Sequence, residues 1–185
     1  MIRVVVVDDH RFVRDSLVEV LEAAGGIAVV DQCADGSEVA AVIAQARPDV
    51  LLLDLQMPRM DGLTAARGVR VAHPEVRIVF LTGGLSSPCA HEARAIGAAG
   101  YLLKDDDPAE LPGHVRTVAA GGTAWHPSVT TLLGEVGDSL TPSPLTAVHY
   151  LEACPRRMRP GSSGGRTSCR MPLPRWRSWP RCGTR

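Results

Sequence analysis

The chain has 185 residues and is 45% apolar, enough to bury the core of one domain of ordinary size beside a smaller second unit. It has no apolar run of about eighteen residues, which excludes a membrane span, and Met1 leads into a strand pattern with no secretory signal, so a cytoplasmic location is expected. Net charge is zero but unevenly spread: residues 1–150 carry eleven Lys and Arg against nineteen Asp and Glu, while residues 151–185 carry nine Arg against Glu152 alone. The five cysteines show no C-x-x-C and no metal-like spacing, so Cys33 and Cys89 read as small inert residues.

Ile2 to Val7 reads as a strand that runs into Asp8 and Asp9. Arg11 to Glu22 has helical periodicity, with Phe12, Val13, Leu17, Val20 and Leu21 on one face, and Gly25-Gly26 closes it. Ile27 to Val30 is a second strand. Asp35 or Ser37 can cap the helix that runs to about Ala46, and Arg47-Pro48 stops it. Val50 to Leu53 is a continuous apolar run, as in a strand buried on both faces of a parallel sheet. It ends on Asp54. Pro58 and Asp61-Gly62 then break the chain into a loop.

A third helix is predicted from Gly62 to Val71, ended by His73-Pro74, and a fourth strand from Arg77 to Leu81, ending at Thr82. Gly83 to Pro88 is a loop, followed by an alanine-rich helix to about Ile96. Gly97 to Gly100 leads into strand five, Tyr101 to Leu103, which ends at Lys104. Asp107-Pro108 is a cap followed by proline at the first helical position, and helix five runs to about Ala120. Pro112-Gly113 lies inside that span, so a kink or a late helix start is expected.

Strands alternate with helices, which predicts an α/β fold with a doubly wound five-stranded parallel sheet in the order 2-1-3-4-5. Four strand ends then deliver Asp8, Asp9, Asp54, Thr82 and Lys104 to the rim where such sheets bind ligands. Lys104 is the only lysine in a chain whose other basic residues are all Arg. A compact ammonium suits a crowded anion site better than a planar guanidinium. Plainer readings exist for each residue. Asp8-Asp9 can cap a helix, Thr82 can satisfy its own backbone, Tyr101 can be core, and His10 can be an exposed residue at a helix start.

The stretches VVVVDDH, LLLDLQMPRMDG, LTG and GYLLKD together resemble the receiver domain of two-component response regulators, over roughly residues 1–125. The resemblance implies that Asp54 is the phosphoacceptor for a sensor histidine kinase. It implies that Asp8, Asp9, Asp54 and the backbone carbonyl of Gln56 hold Mg²⁺. Thr82 and Lys104 would contact the phosphoryl group, and Thr82 and Tyr101 would form the switch. It further implies self-catalysed phosphorylation and dephosphorylation without a separate enzymatic substrate, and a homodimer through the helix 4–strand 5–helix 5 face.

Trp125-His126-Pro127-Ser128 and Leu140-Thr141-Pro142 resemble the LuxR-type (NarL/FixJ-like) branch, whose members regulate transcription by binding DNA. The expected division is a receiver over 1–122, a linker over 123–140, and a remnant of or replacement for a helix-turn-helix domain over 141–185. Residues 151–185 lack Val, Ile, Phe and Tyr and hold five Pro and two Trp without helical period, so they are expected to be disordered. They read as a frameshift product of a GC-rich gene or as a basic arm with sequence-blind affinity for phosphate backbones. A stand-alone receiver acting by protein contact or as a phosphate sink is the alternative to a DNA-binding regulator.

Overall fold

A computed structural model describes residues 1–135. The elements are β1 (Ile2–Val7), α1 (Arg11–Ala23), β2 (Ile27–Cys33), α2 (Gly36–Ala46), β3 (Val50–Leu53), α3 (Gly62–Ala72), β4 (Arg77–Thr82), α4 (Ser87–Ile96), β5 (Gly100–Leu103), α5 (Leu111–Ala119), β6 (Ala124–Trp125) and α6 (Pro127–Glu135). The sheet order is β2-β1-β3-β4-β5-β6, and every pairing is parallel. The fold is the α/β receiver architecture expected, extended by one short strand.

Side chains alternate across the sheet, as the strand period of two requires. Val5, Val7, Leu51, Leu53, Ile78, Phe80 and Tyr101 face one side and pack with α2, α3, α4 and α6. Val4, Val6, Val50, Leu52, Val79, Leu81 and Leu102 face the other and pack with Leu21 of α1 and Leu111, Val115 and Val118 of α5. Both faces of the central strands are therefore covered, which explains why Val50–Leu53 is apolar without interruption.

Local signals acted where expected, with three departures. Asp35 caps α2, accepting the Ser37 N–H at 2.9 Å. β2 runs on through Asp31 and Gln32 to Cys33, past the end expected at Val30. The helix expected from Pro108 starts late, in keeping with the expectation drawn from Pro112-Gly113. Asp107 caps a single 3₁₀ turn, Pro108–Glu110, and α5 starts only at Leu111. Pro112 thereby falls in the first turn of α5, where a missing N–H costs no intrahelical bond. Phe12, assigned to the apolar face of α1, is instead 89% exposed, and α1 buries Leu21. Phe12 lines a groove of about 300 Å³ shared with Leu17, Leu102 and Leu111.

The third departure is the segment expected to be a linker from residue 123. It carries β6 and α6, and Val129 and Leu133 are buried in the core. Gly100 makes this possible. A Cβ there would lie 2.4 Å from the Ala124 carbonyl oxygen, so only glycine lets β6 approach β5. At the helix 4–strand 5–helix 5 face, β6 pairs the β5 edge and α6 packs on α4. The expectations for residues 141–185 lie outside the described residues.

Candidate functional site

The parallel register decides which side chains meet. Val7 of β1 is level with Leu53 of β3, and the Asp54 N–H donates to the Val7 carbonyl at 2.9 Å. Asp8 and Asp54 thus emerge side by side at the carboxyl rim. Thr82 of β4 is level with Leu103 of β5, and the Lys104 N–H donates to the Thr82 carbonyl at 2.8 Å. The Lys104 side chain spans the rim. Its Nζ lies 2.6 Å from Asp8 Oδ2 and 2.9 Å from Asp54 Oδ2. Asp8, Asp54 and Thr82 are buried, at 1%, 4% and 4% exposure.

One half-buried ammonium is shared by two buried carboxylates, with Asp9 adjacent. Charge is therefore incompletely balanced. Burial, reinforced by the Asp8 charge, pushes the Asp54 carboxyl up from the usual carboxylate range, against Lys104 and the Gln56 N–H, which pull it down. Burial pulls the Lys104 ammonium down, but its bonds to Asp8 and Asp54 outweigh this, and its net shift is upward. Lys104 is thus held charged, while Asp54 carries more negative charge around it than one lysine neutralises.

Asp9 and His10 complete the outer part of the rim. Asp8 Oδ1 accepts the His10 N–H at 2.8 Å, and His10 Nδ1 lies 2.7 Å from Asp9 Oδ1. Ligand atoms of Asp8, Asp9 and His10 all fall within 4.8 Å of one another. This donor set of clustered carboxylate oxygens, in excess over local positive charge, fits a hard divalent cation such as Mg²⁺. Gln56 lies exposed in the loop after Asp54. Tyr101 is wholly buried on β5, away from solvent, and its ring lies 6.3 Å from that of Phe80.

Two supports of this rim escaped sequence reasoning. Gly62 packs against the strand end itself, since a Cβ there would lie 2.0 Å from the Asp54 carbonyl oxygen, and its N–H donates to the Leu55 carbonyl at 3.0 Å. The Asp61-Gly62 pair announced a turn but not this close approach. Asp35, besides capping α2, accepts the Arg59 N–H at 3.0 Å and so pins the loop that follows Asp54. The Ser37 hydroxyl, at 2.6 Å, is the main cause that holds the Asp35 carboxyl well below the usual carboxylate range. No sequence spacing signals a contact across 24 residues.

Residues 4–116 match the response regulator receiver domain family. The uncharacterized transcriptional regulatory protein YxjL of Bacillus subtilis is 39% identical over 120 residues, covering 65% of this chain and 55% of that protein. The response regulator GacA of Pseudomonas viridiflava is 36% identical over 133 residues, covering 72% of this chain and 62% of that protein. Among solved structures, a LuxR-family two-component response regulator from Aurantimonas sp. SI85-9A1 is similar, with a TM-score of 0.69 and 33% identity over 73% of this chain and 96% of that one. The chain spans 55% and 62% of the length of the two curated relatives. No helix among the described residues is long and apolar enough to cross a membrane. The fold, the strand-end carboxylates and these matches agree: the chain belongs to the response regulator receiver family, and its receiver is of the LuxR type.

Proposed function

We propose that Asp54 accepts a phosphoryl group from the phosphohistidine of a sensor kinase, so that the chain works as a two-component response regulator. The observation that carries this reading is the Lys104 ammonium set between Asp8 and Asp54 at 2.6 and 2.9 Å. An ionised carboxylate beside a fixed cation is a competent nucleophile, and the same cation can follow a transferred anionic group. An Asp54 oxygen attacks phosphorus, the phosphorus–nitrogen bond to the kinase histidine breaks, and the imidazole leaves. Lys104 then turns from the carboxylate to a phosphoryl oxygen, and the Thr82 hydroxyl donates to another. Asp8, Asp9, Asp54 and the Gln56 carbonyl would hold Mg²⁺, which when bound neutralises phosphoryl oxygens.

The relatives' role in transcription supports a place for this chain in transcriptional control. A receiver acting through protein contact alone is the second reading, favoured by residues 151–185, whose sequence lacks a helical apolar period. Self-association is proposed to use a surface in which β6 and α6 join α4 and α5. The test of the phosphoacceptor is labelling from a small phosphodonor with and without Mg²⁺. Labelling should require the cation and vanish in Asp54→Asn. Undiminished labelling of that variant would remove Asp54 from the role. Binding of the intact chain to promoter DNA, compared with random DNA, separates the two readings.

A further inference from the structure

The Gln56 carbonyl differs from the other expected ligands of the rim. Asp8, Asp9 and Asp54 offer side chains that can turn toward a cation. A backbone carbonyl has no rotamer and goes only where its loop goes. The loop between β3 and α3, residues 54–61, is therefore part of the site. Gln56 is exposed, but its neighbours Leu55 and Met57 are buried in the core. The loop closes on itself where the Gly62 N–H donates to the Leu55 carbonyl at 3.0 Å.

The outer half of the loop rests on the start of α2. Among the described residues three carboxylates are buried, Asp8, Asp54 and Asp35. The first two share Lys104. Asp35 divides its two oxygens between two tasks. Oδ1 accepts the Ser37 N–H at 2.9 Å and the Ser37 hydroxyl at 2.6 Å, which caps α2. Oδ2 accepts the Arg59 N–H at 3.0 Å, with the Arg59 Nε standing off at 3.6 Å. The Arg59 Nη2 reaches Glu38 at 2.8 Å, but that pair is exposed. The backbones meet beside this bond, since a Cβ on Gly36 would lie 2.5 Å from the Met60 carbonyl oxygen. A cap needs one oxygen and no burial. The second oxygen, taken up by an amide three residues past Gln56, serves the loop.

We infer that Asp35 is a positioning residue for the divalent cation: its bond to the Arg59 N–H holds the β3–α3 loop so that the Gln56 carbonyl is in place before the cation arrives. The inference rests on the reading of Asp54 and Gln56 as parts of a Mg²⁺ site. Mg²⁺ demands near-ideal octahedral geometry, so a carbonyl free to wander is a poor ligand. With the Arg59 N–H tied, the loop is ordered during folding. Without the tie the loop must be ordered when the cation binds, and affinity falls by that entropy. Outer partners that orient metal ligands typically account for about 10–100-fold in metal affinity.

The test uses the full chain and Mg²⁺ alone, with affinity read from the amide NMR shifts of Asp9 and Asp54 during titration. Asp35→Ser keeps a cap for α2 but has no second oxygen for the Arg59 N–H. It should weaken Mg²⁺ binding by about ten-fold or more. Ser37→Ala removes a hydroxyl bond at the cap and keeps the tie, while Glu38→Gln removes a neighbouring charge and keeps the tie. Both should stay within about two-fold of wild type. Should Asp35→Ser not fold, hydrogen exchange in the wild-type chain decides. Saturating Mg²⁺ should slow exchange of the Arg59 amide by the same factor of about ten or more, because coupling between two events is reciprocal. Wild-type affinity in Asp35→Ser, or Arg59 exchange indifferent to Mg²⁺, overturns the inference. So does an equal loss in either control, which would assign the effect to a loosened helix or to charge. In each of these cases the wild-type chain still binds Mg²⁺ and the reading of the rim stands. A wild-type chain whose Asp54 amide does not respond to Mg²⁺ overturns both.

Discussion

Replacing Lys104 by methionine tests the electrostatics of the rim most directly. The substitution keeps the length and packing of the stem but removes the ammonium that lies 2.6 Å from Asp8 and 2.9 Å from Asp54. Both carboxylates are almost fully buried. Removing one partner of a buried ion pair costs about 3–5 kcal/mol, because the remaining charge is uncompensated. The site has an escape, which is to take up a proton between the two carboxylates. For a carboxyl of ordinary pKa near 4, protonation at pH 7 costs about 4 kcal/mol, at about 1.4 kcal/mol per unit. That sets the ceiling, so the expected loss at pH 7 without divalent cation is roughly 3–4 kcal/mol, a large part of a domain's stability. Direction with pH follows from linkage. The folded variant binds about one proton more than the unfolded chain from pH ~4 up to its raised carboxyl pKa, so its stability relative to wild type rises as pH falls through that window. By pH 5 the deficit should shrink to roughly 1 kcal/mol. Urea denaturation followed by circular dichroism, with a chelator present, measures this. A wild-type midpoint at pH 7, or a deficit that grows on acidification, refutes the reasoning. Mg²⁺ should restore much of the loss.

Three further substitutions probe other parts of the argument. Asp54→Asn removes a carboxylate whose burial raises its pKa while Lys104 keeps Asp8; an acid raised on folding destabilises the native state at neutral pH, so this variant should match or exceed wild type in urea at pH 7, and a loss above about 1 kcal/mol would contradict the reading. Gly62→Ala places a methyl group 2.0 Å from the Asp54 carbonyl oxygen, which is backbone and cannot yield; a loss of about 2–3 kcal/mol is expected by thermal melting, and a melt indistinguishable from wild type argues against the close approach. Leu133→Ala should cost about 2–3 kcal/mol if α6 is part of the folded unit, whereas a change below about 0.5 kcal/mol in the same melt would mark it as an appendage.

The rim ends of β1, β3, β4 and β5 were legible because each apolar run stops at a polar residue, and the stop is what reaches the rim; the stop at Asp31 misplaced the end of β2, which continues to Cys33 alongside β1. Asp54 and Lys104 could be paired from sequence only through the family resemblance; the register that brings them within 2.9 Å is a property of the assembled sheet. The sixth strand was not legible. Ala124-Trp125 is too short for any period to show, and its partner Gly100 read simply as part of the lead into strand five. Helical periodicity placed Phe12 on the buried face of α1, but periodicity does not say where along a helix its neighbour ends. Asp35 was legible as a cap from local order, whereas its bond to the Arg59 N–H depends on where two loops meet.

β6 also bears on how the molecule behaves in concentrated solution. A parallel sheet has two edges, and each offers unpaired N–H and C=O groups to any other extended chain. On the β5 side that edge would be Gly100–Leu103, a strand otherwise apolar along its length. β6 covers it with two residues and is followed at once by His126 and Pro127, so the new edge ends before a third chain can align along it. A proline cannot donate to a growing ladder. Cutting the chain ahead of Ala124 would therefore uncover a template for intermolecular strand addition. The short strand acts in this respect as a guard against edge-to-edge aggregation, independent of anything that happens at Asp54.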